Sequence, residues 1–125
     1  MNASQDQNQN QNQDANRRIS IQIVGREGKY DFTYTPSTVH VNGNEVVDFE
    51  LVRTSVVDKV WVAFDVPVSD ERKFNFSVSK GKAARVTFRT VPPGVHHYRV
   101  IGFAGPADGE QYLVADVYCP SIIVN

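Results

Sequence analysis

The chain has 125 residues, about the size of one ordinary domain, so a single core hiding roughly two-thirds of the unfolded surface is within reach. With 41% hydrophobic and 22% charged residues it has the composition of a globular protein, and a net charge of −1 supplies no field to gather nucleic acid or anionic lipid. One cysteine excludes an intrachain disulfide, no apolar run reaches the ~18 residues of a membrane helix, and the polar N-terminus lacks a secretory apolar stretch; together these point to a cytoplasmic protein.

Residues 1–16, MNASQDQNQNQNQDAN, are almost wholly polar and are expected to form a disordered Gln/Asn-rich tail, since they bury too little to offset the entropy of ordering. Arg17-Arg18 has no long apolar segment after it and is not read as an export signal. From Arg17 onward apolar residues recur at period two, the mark of strands with one buried face. Ile19, Ile21 and Ile23 alternate with Ser20 and Gln22, and Tyr30, Phe32 and Tyr34 with Asp31 and Thr33. Val39 and Val41 flank His40, Asn42-Gly43 offers the left-handed positions of a tight turn, and Val47, Phe49 and Leu51 follow, which predicts a hairpin from Thr38 to Val52.

Val60, Val62, Phe64 and Val66 form one face of the next strand, with Trp61, Ala63 and Asp65 on the other and Pro67 as its stop or edge marker. Residues 69–73, SDERK, read as a charged loop. Phe74, Phe76 and Val78 lead through Lys80-Gly81-Lys82 to Ala84, Val86 and Phe88, a second predicted hairpin whose other face shows Arg85, Thr87 and Arg89. Pro92-Pro93-Gly94 is a turn, His96 to Phe103 a strand, GPADGE a loop, Tyr112 to Tyr118 a strand, and Ile122 to Val124 a short last one. Short strands at 8–12 residue spacing, with no helix and no repeat, predict one domain over 17–125. Its expected fold is an all-β antiparallel sandwich of seven to nine strands, immunoglobulin-like or cupredoxin-like, with Greek-key connections.

Within that class, YTPSTVHVNGNEVVDFEL resembles the opening of a cupredoxin domain, and PPGVHHYRVIG resembles the cupredoxin strand that leads toward the copper-bearing loop. The resemblance implies a sandwich fold. A copper site of that family needs a Cys thiolate, two His and a weak axial Met, with the Cys, one His and the Met in one loop near the C-terminus. Here Cys119 is followed by PSIIVN, without His or Met, and the only Met is Met1. His96 and His97 are neighbours in a strand and therefore point to opposite faces. His40, His96, His97 and Cys119 are the candidates for any metal site, but they lack the paired spacing of structural zinc, and no metal or other cofactor is expected.

Catalytic signatures are equally sparse, with no Gly-x-Ser-x-Gly elbow and no Gly-rich phosphate loop opening a helix. Asp65, Asp70, Glu71, Asp108 and Glu110 fall in loops or on polar faces, where solvated roles are usual, and Cys119 reads as a small hydrophobe. Asn2-Ala3-Ser4 and Asn75-Phe76-Ser77 match the glycosylation triplet by chance. The candidate binding patch combines Lys73, Arg85, Thr87 and Arg89 of the second hairpin with Arg99, anchored by Trp61 if that ring is exposed. The expected function is a non-catalytic binding or assembly module that takes protein partners or a second copy of itself, with no nucleic acid or membrane partner. A metal-binding or redox cupredoxin relative with altered ligands, and a small enzyme with a loop-built site, are the alternatives.

Overall fold

The period-two pattern becomes ten strands and no helix in the computed structural model, which describes residues 17–105 and 109–125. The predicted tail over 1–16, with its Asn2 triplet, and Asp108 lie outside the described residues. The strands are β1 (Arg17–Arg26), β2 (Lys29–Thr35), β3 (Thr38–Val41), β4 (Val46–Leu51), β5 (Lys59–Val68), β6 (Lys73–Ser79), β7 (Ala83–Thr87), β8 (Gly94–Ala104), β9 (Tyr112–Ala115) and β10 (Ser121–Val124). No helix among the described residues is long and apolar enough to cross a membrane.

Two sheets result. One has four strands in the order β2-β1-β4-β7; the other has six, β3-β10-β8-β5-β6, with β9 also paired to β8. Both are mixed, because β1 runs parallel to β4 and β3 parallel to β10. The all-β expectation holds, while the purely antiparallel pairing and the count of seven to nine do not. Period two fixes which face of a strand is buried and says nothing about the direction of its neighbour.

Neither predicted hairpin forms. Asn42-Gly43 joins β3 and β4, which lie in different sheets, and Lys80-Gly81-Lys82 likewise carries the chain from β6 to β7 across the layers. The flanking segments of the first bury Val39 and Val41 on one side and Val47, Phe49 and Leu51 on the other, and those of the second bury Val78 and Val86. Arching over the core lets the two strands cover it from opposite sides, where a hairpin would place them side by side in one layer. The β1–β2 hairpin instead turns at Glu27 and Gly28, both at positive φ (50° and 77°), the conformation a two-residue turn matched to strand twist requires. Residues 69–72 close the β5–β6 hairpin, with Ser69 and Arg72 also left-handed. Pro67 lies inside β5, in the stretch where the β5–β6 register is interrupted between Ala63 and Val68.

The inward faces share one core. Ile19, Ile21, Ile23, Val47, Phe49 and Leu51 come from the four-stranded sheet, and Val60, Val62, Phe64, Tyr98, Val100 and Ile122 from the six-stranded one. Phe49 is the crossing point. Its ring lies edge-on to Tyr98 at 5.4 Å, to Phe76 at 5.3 Å and to Phe64 at 6.2 Å between centroids, the geometry that aromatic quadrupoles favour. Phe49→Ala would empty the centre of both layers at once, so its urea midpoint is expected to correspond to a loss of about 3–5 kcal/mol with an unchanged m-value.

Candidate functional site

Strand parity gives the two sheets opposite exteriors. The outer face of the four-stranded sheet is mostly polar and internally paired, with Val24 as an exposed apolar residue on β1. Asp48 on β4 is 6% exposed and accepts from the guanidinium of Arg85 on β7 at 3.1 Å, Ser20 donates to Glu50 at 2.6 Å, and Gln22 donates to Thr54 at 2.8 Å. On the outer face of the six-stranded sheet, Trp61 on β5, Phe103 on β8 and Leu113 on β9 are 36%, 38% and 63% exposed. Trp61 lies opposite half-buried Ile101, and Phe103 lies opposite Leu113, so the apolar surface runs without a break across three strands.

At the end of that surface lies a cleft of about 410 Å³ lined by Val56, Asp58, Lys59, Trp61, Phe103 and Gln111, among others. The Lys59 ammonium sits 5.7 Å from the centre of the Trp61 ring, within cation–π range, and Asp58 is paired with Lys80 at 3.3 Å. Gly105 shapes the rim: at φ 108° it meets the Glu110 carbonyl so closely that a Cβ there would stand 2.6 Å from the oxygen. Only glycine allows the chain to close at this point and deliver β9 alongside β8.

The charged patch expected from the second hairpin is dispersed. Arg85 belongs to the four-stranded sheet and is engaged with Asp48; Arg89 follows β7 and forms a two-pronged contact with Asp70 at 2.7 and 3.3 Å. Lys73 starts β6, and Arg99 and Trp61 lie on the outer face of the six-stranded sheet. The hairpin that was to align them does not exist, so Trp61 is left with Phe103 and Leu113 as its company. Glu71 and Glu110 are exposed loop residues.

The histidine doublet splits as the strand geometry requires. His96 is buried, and its Nε2–H donates to the Pro92 carbonyl at 2.7 Å, with Nδ1 3.9 Å from Asp65. His97 points outward and lines a shallow cleft of about 290 Å³ with Asp65, Arg99 and half-buried Cys119, whose sulfur accepts from Arg99 at 3.9 Å. His40 is on the same outer face, but β10 stands between its strand and β8, a separation on the order of 10 Å. Among the described residues no three His, Cys, Asp or Glu side chains gather as a metal ion would need.

A tyrosine seam, which no local pattern announces, closes the side of the core beneath β9. Tyr30 and Tyr112 share a 2.6 Å hydrogen bond between the two sheets, and Tyr34 donates to Asp116 at 2.9 Å. Tyr98 and Tyr118 pack on Tyr34 at 6.1 and 6.2 Å, so the five tyrosines of the chain fall into a pair and a trio, each holding one residue of β2. Burial, and then the bond to Asp116, holds the Tyr34 hydroxyl far above the ordinary phenol value. Burial does the same for Tyr98, with Tyr118 adding to it, and the bond to Tyr112 raises Tyr30.

No protein-family model matches this sequence, and no curated protein matches it.

Two outcomes follow from the site. An unfolded tyrosine ionises near 10, while Tyr34 and Tyr98 keep their protons in the fold, so the native chain binds more protons than the unfolded one at alkaline pH. Their contribution is complete below about pH 10 and is lost as the pH climbs past it; the urea midpoint is expected to fall between about pH 9 and pH 11, less steeply in Tyr34→Phe. Calorimetric titration of the reduced protein with Zn(II) or Cu(I) is expected to show no stoichiometric binding. A stoichiometric signal abolished by His97→Ala and by Cys119→Ala would place a metal in the His97 cleft.

Proposed function

We propose that this chain is a non-catalytic binding or assembly module on a β-sandwich of immunoglobulin-like or cupredoxin-like build, and that it associates through the outer face of the six-stranded sheet. The observation that carries the reading is the contrast between the two exteriors. One face spends its charged groups on each other, and the other leaves Trp61, Phe103 and Leu113 in water beside a cleft. A continuous apolar surface on a sheet that could have alternated with polar residues costs solubility, and contact with another surface is the usual reason for one. Exposed tryptophan and phenylalanine are also the side chains that concentrate binding energy in protein contacts.

The sandwich assignment draws on the resemblance of YTPSTVHVNGNEVVDFEL and PPGVHHYRVIG to cupredoxin strands, and on a chain that passes repeatedly between two layers over one core. Cys119 is a free thiol, which suits a reducing compartment. A second copy of the chain is the first partner to test, because soluble proteins most often associate with themselves and a net charge of −1 opposes that little.

Sedimentation velocity over a dilution series from about 500 µM to about 1 µM is expected to show concentration-dependent association, in the range where small interfaces fall. Trp61→Ser combined with Phe103→Ser should shift the equilibrium toward monomer without loss of the fold, since both side chains stand partly in solvent. A wild-type protein that stays monomeric at the highest concentration would sink the self-association reading.

A further inference from the structure

We infer that β9 is an assembly edge, which pairs antiparallel with β9 of a second copy and joins the two six-stranded sheets into one. The inference rests on the assembly reading above and adds to its outer-face contact a second one, at the edge of the same sheet.

β9, residues Tyr112–Ala115, pairs with β8 alone among the described residues. Asp116 N–H donates to the Val100 carbonyl, which fixes the phase of the ladder. In an antiparallel pair, bonded and non-bonded partners alternate. Val114 and Tyr112 therefore face Gly102 and Ala104 across bonded positions, whereas Leu113 and Ala115 direct their N–H and C=O groups away from β8, at the open edge. Among the described residues these groups have no partner in the ladder, which makes them the donors and acceptors of a strand template.

The other edges are defended, each by a device that edge strands use against pairing. On β3 the His40 carbonyl accepts from Arg17 Nε at 3.3 Å, and Arg17 is held there by Glu45. On β7 the Thr87 carbonyl and N–H are both taken up by Ser69. β2 carries Lys29 and Asp31, and β6 begins with Lys73 beside the interrupted β5–β6 ladder. β9 reads Tyr-Leu-Val-Ala, with no charge, proline or bulge.

A second copy is the occupant that fits this edge, because a two-fold axis makes β9 complementary to itself. With Leu113 opposite the partner's Ala115, each supplies the donor and the acceptor the other lacks, and Val114 lies on the axis. This register sets Asp116 opposite Tyr112; the alternative with Leu113 opposite Leu113 would face Glu110 with Asp116, two like charges. On the outer face, Leu113 and its neighbour Phe103 then continue into the same residues of the second copy, so the apolar strip is doubled in length. The Tyr30–Tyr112 and Tyr34–Asp116 bonds fasten β9 to β2 from beneath, which presents the edge in a fixed position.

The test uses a proline at a position whose N–H serves only the edge. Ala115→Pro removes no bond of the β8–β9 ladder, so circular dichroism and the thermal midpoint should stay near wild type while the association constant falls at least about tenfold. In amide exchange by NMR, Leu113 and Ala115 should become protected as concentration rises, with Val114 protected throughout. Association that is unchanged in Ala115→Pro, or Leu113 and Ala115 amides whose exchange ignores concentration, would overturn the β9 inference and leave the assembly reading standing. A monomeric wild type would end both. If Ala115→Pro unfolds the chain, the exchange pattern of the wild type decides the matter.

Discussion

Phe49 joins the two layers, and the rest of the architecture is arranged around that contact. It sits on β4, a central strand with β1 on one side and β7 on the other, and its ring reaches three aromatic rings of the opposite sheet. A chain without a disulfide has only burial and backbone pairing to hold two sheets together, so the layer interface must be dry and densely filled. The completely buried neighbours Ile21, Leu51, Val60 and Val100 supply that filling. One consequence is topological. To place apolar strands on both sides of this centre, the chain crosses between layers at residues 42–45 and 80–82 instead of doubling back.

The same crossings explain what the sequence conveyed and what it withheld. The inward residues of β1, β4, β5 and β8 are legible because alternation marks them one by one, and the divergence of His96 and His97 follows from the same parity. Partner choice was not legible. Asn42-Gly43 reads as a hairpin turn, and its residues do open a turn, but neither takes the positive φ that Glu27 and Gly28 adopt; one local signal stands for a turn within a sheet and for a turn between sheets. What separates them is the burial each arrangement achieves against strands far away in sequence. The dispersal of Arg85, Arg89 and Arg99 is a direct result, since the expected alignment depended on a pairing that does not occur.

The exposed apolar surface was hidden for a related reason. Trp61 was visible as a residue on the outward face of β5, yet Phe103 and Leu113 join it only through the β5–β8 and β8–β9 registers. In β9, Val114 packs against the core and Leu113 stands in water. Short strands with apolar residues on both faces carry no internal cue to their orientation. The cue lies in Tyr112 and Asp116, which share the parity of Val114 and reach across to Tyr30 and Tyr34.

That reach ties the tyrosine seam to the behaviour of the edge. β9 has four residues and one neighbouring strand, a combination that alone would leave it prone to fray. Two side-chain bonds to β2 hold it, and both engage the face opposite Leu113. A strand fixed from below and bare at its side loses little further conformational freedom on meeting a partner, which lowers the entropic cost that limits small interfaces. The polar seam inside and the apolar surface outside are thus two faces of one short strand: the first orders β9, and the order makes its open edge usable.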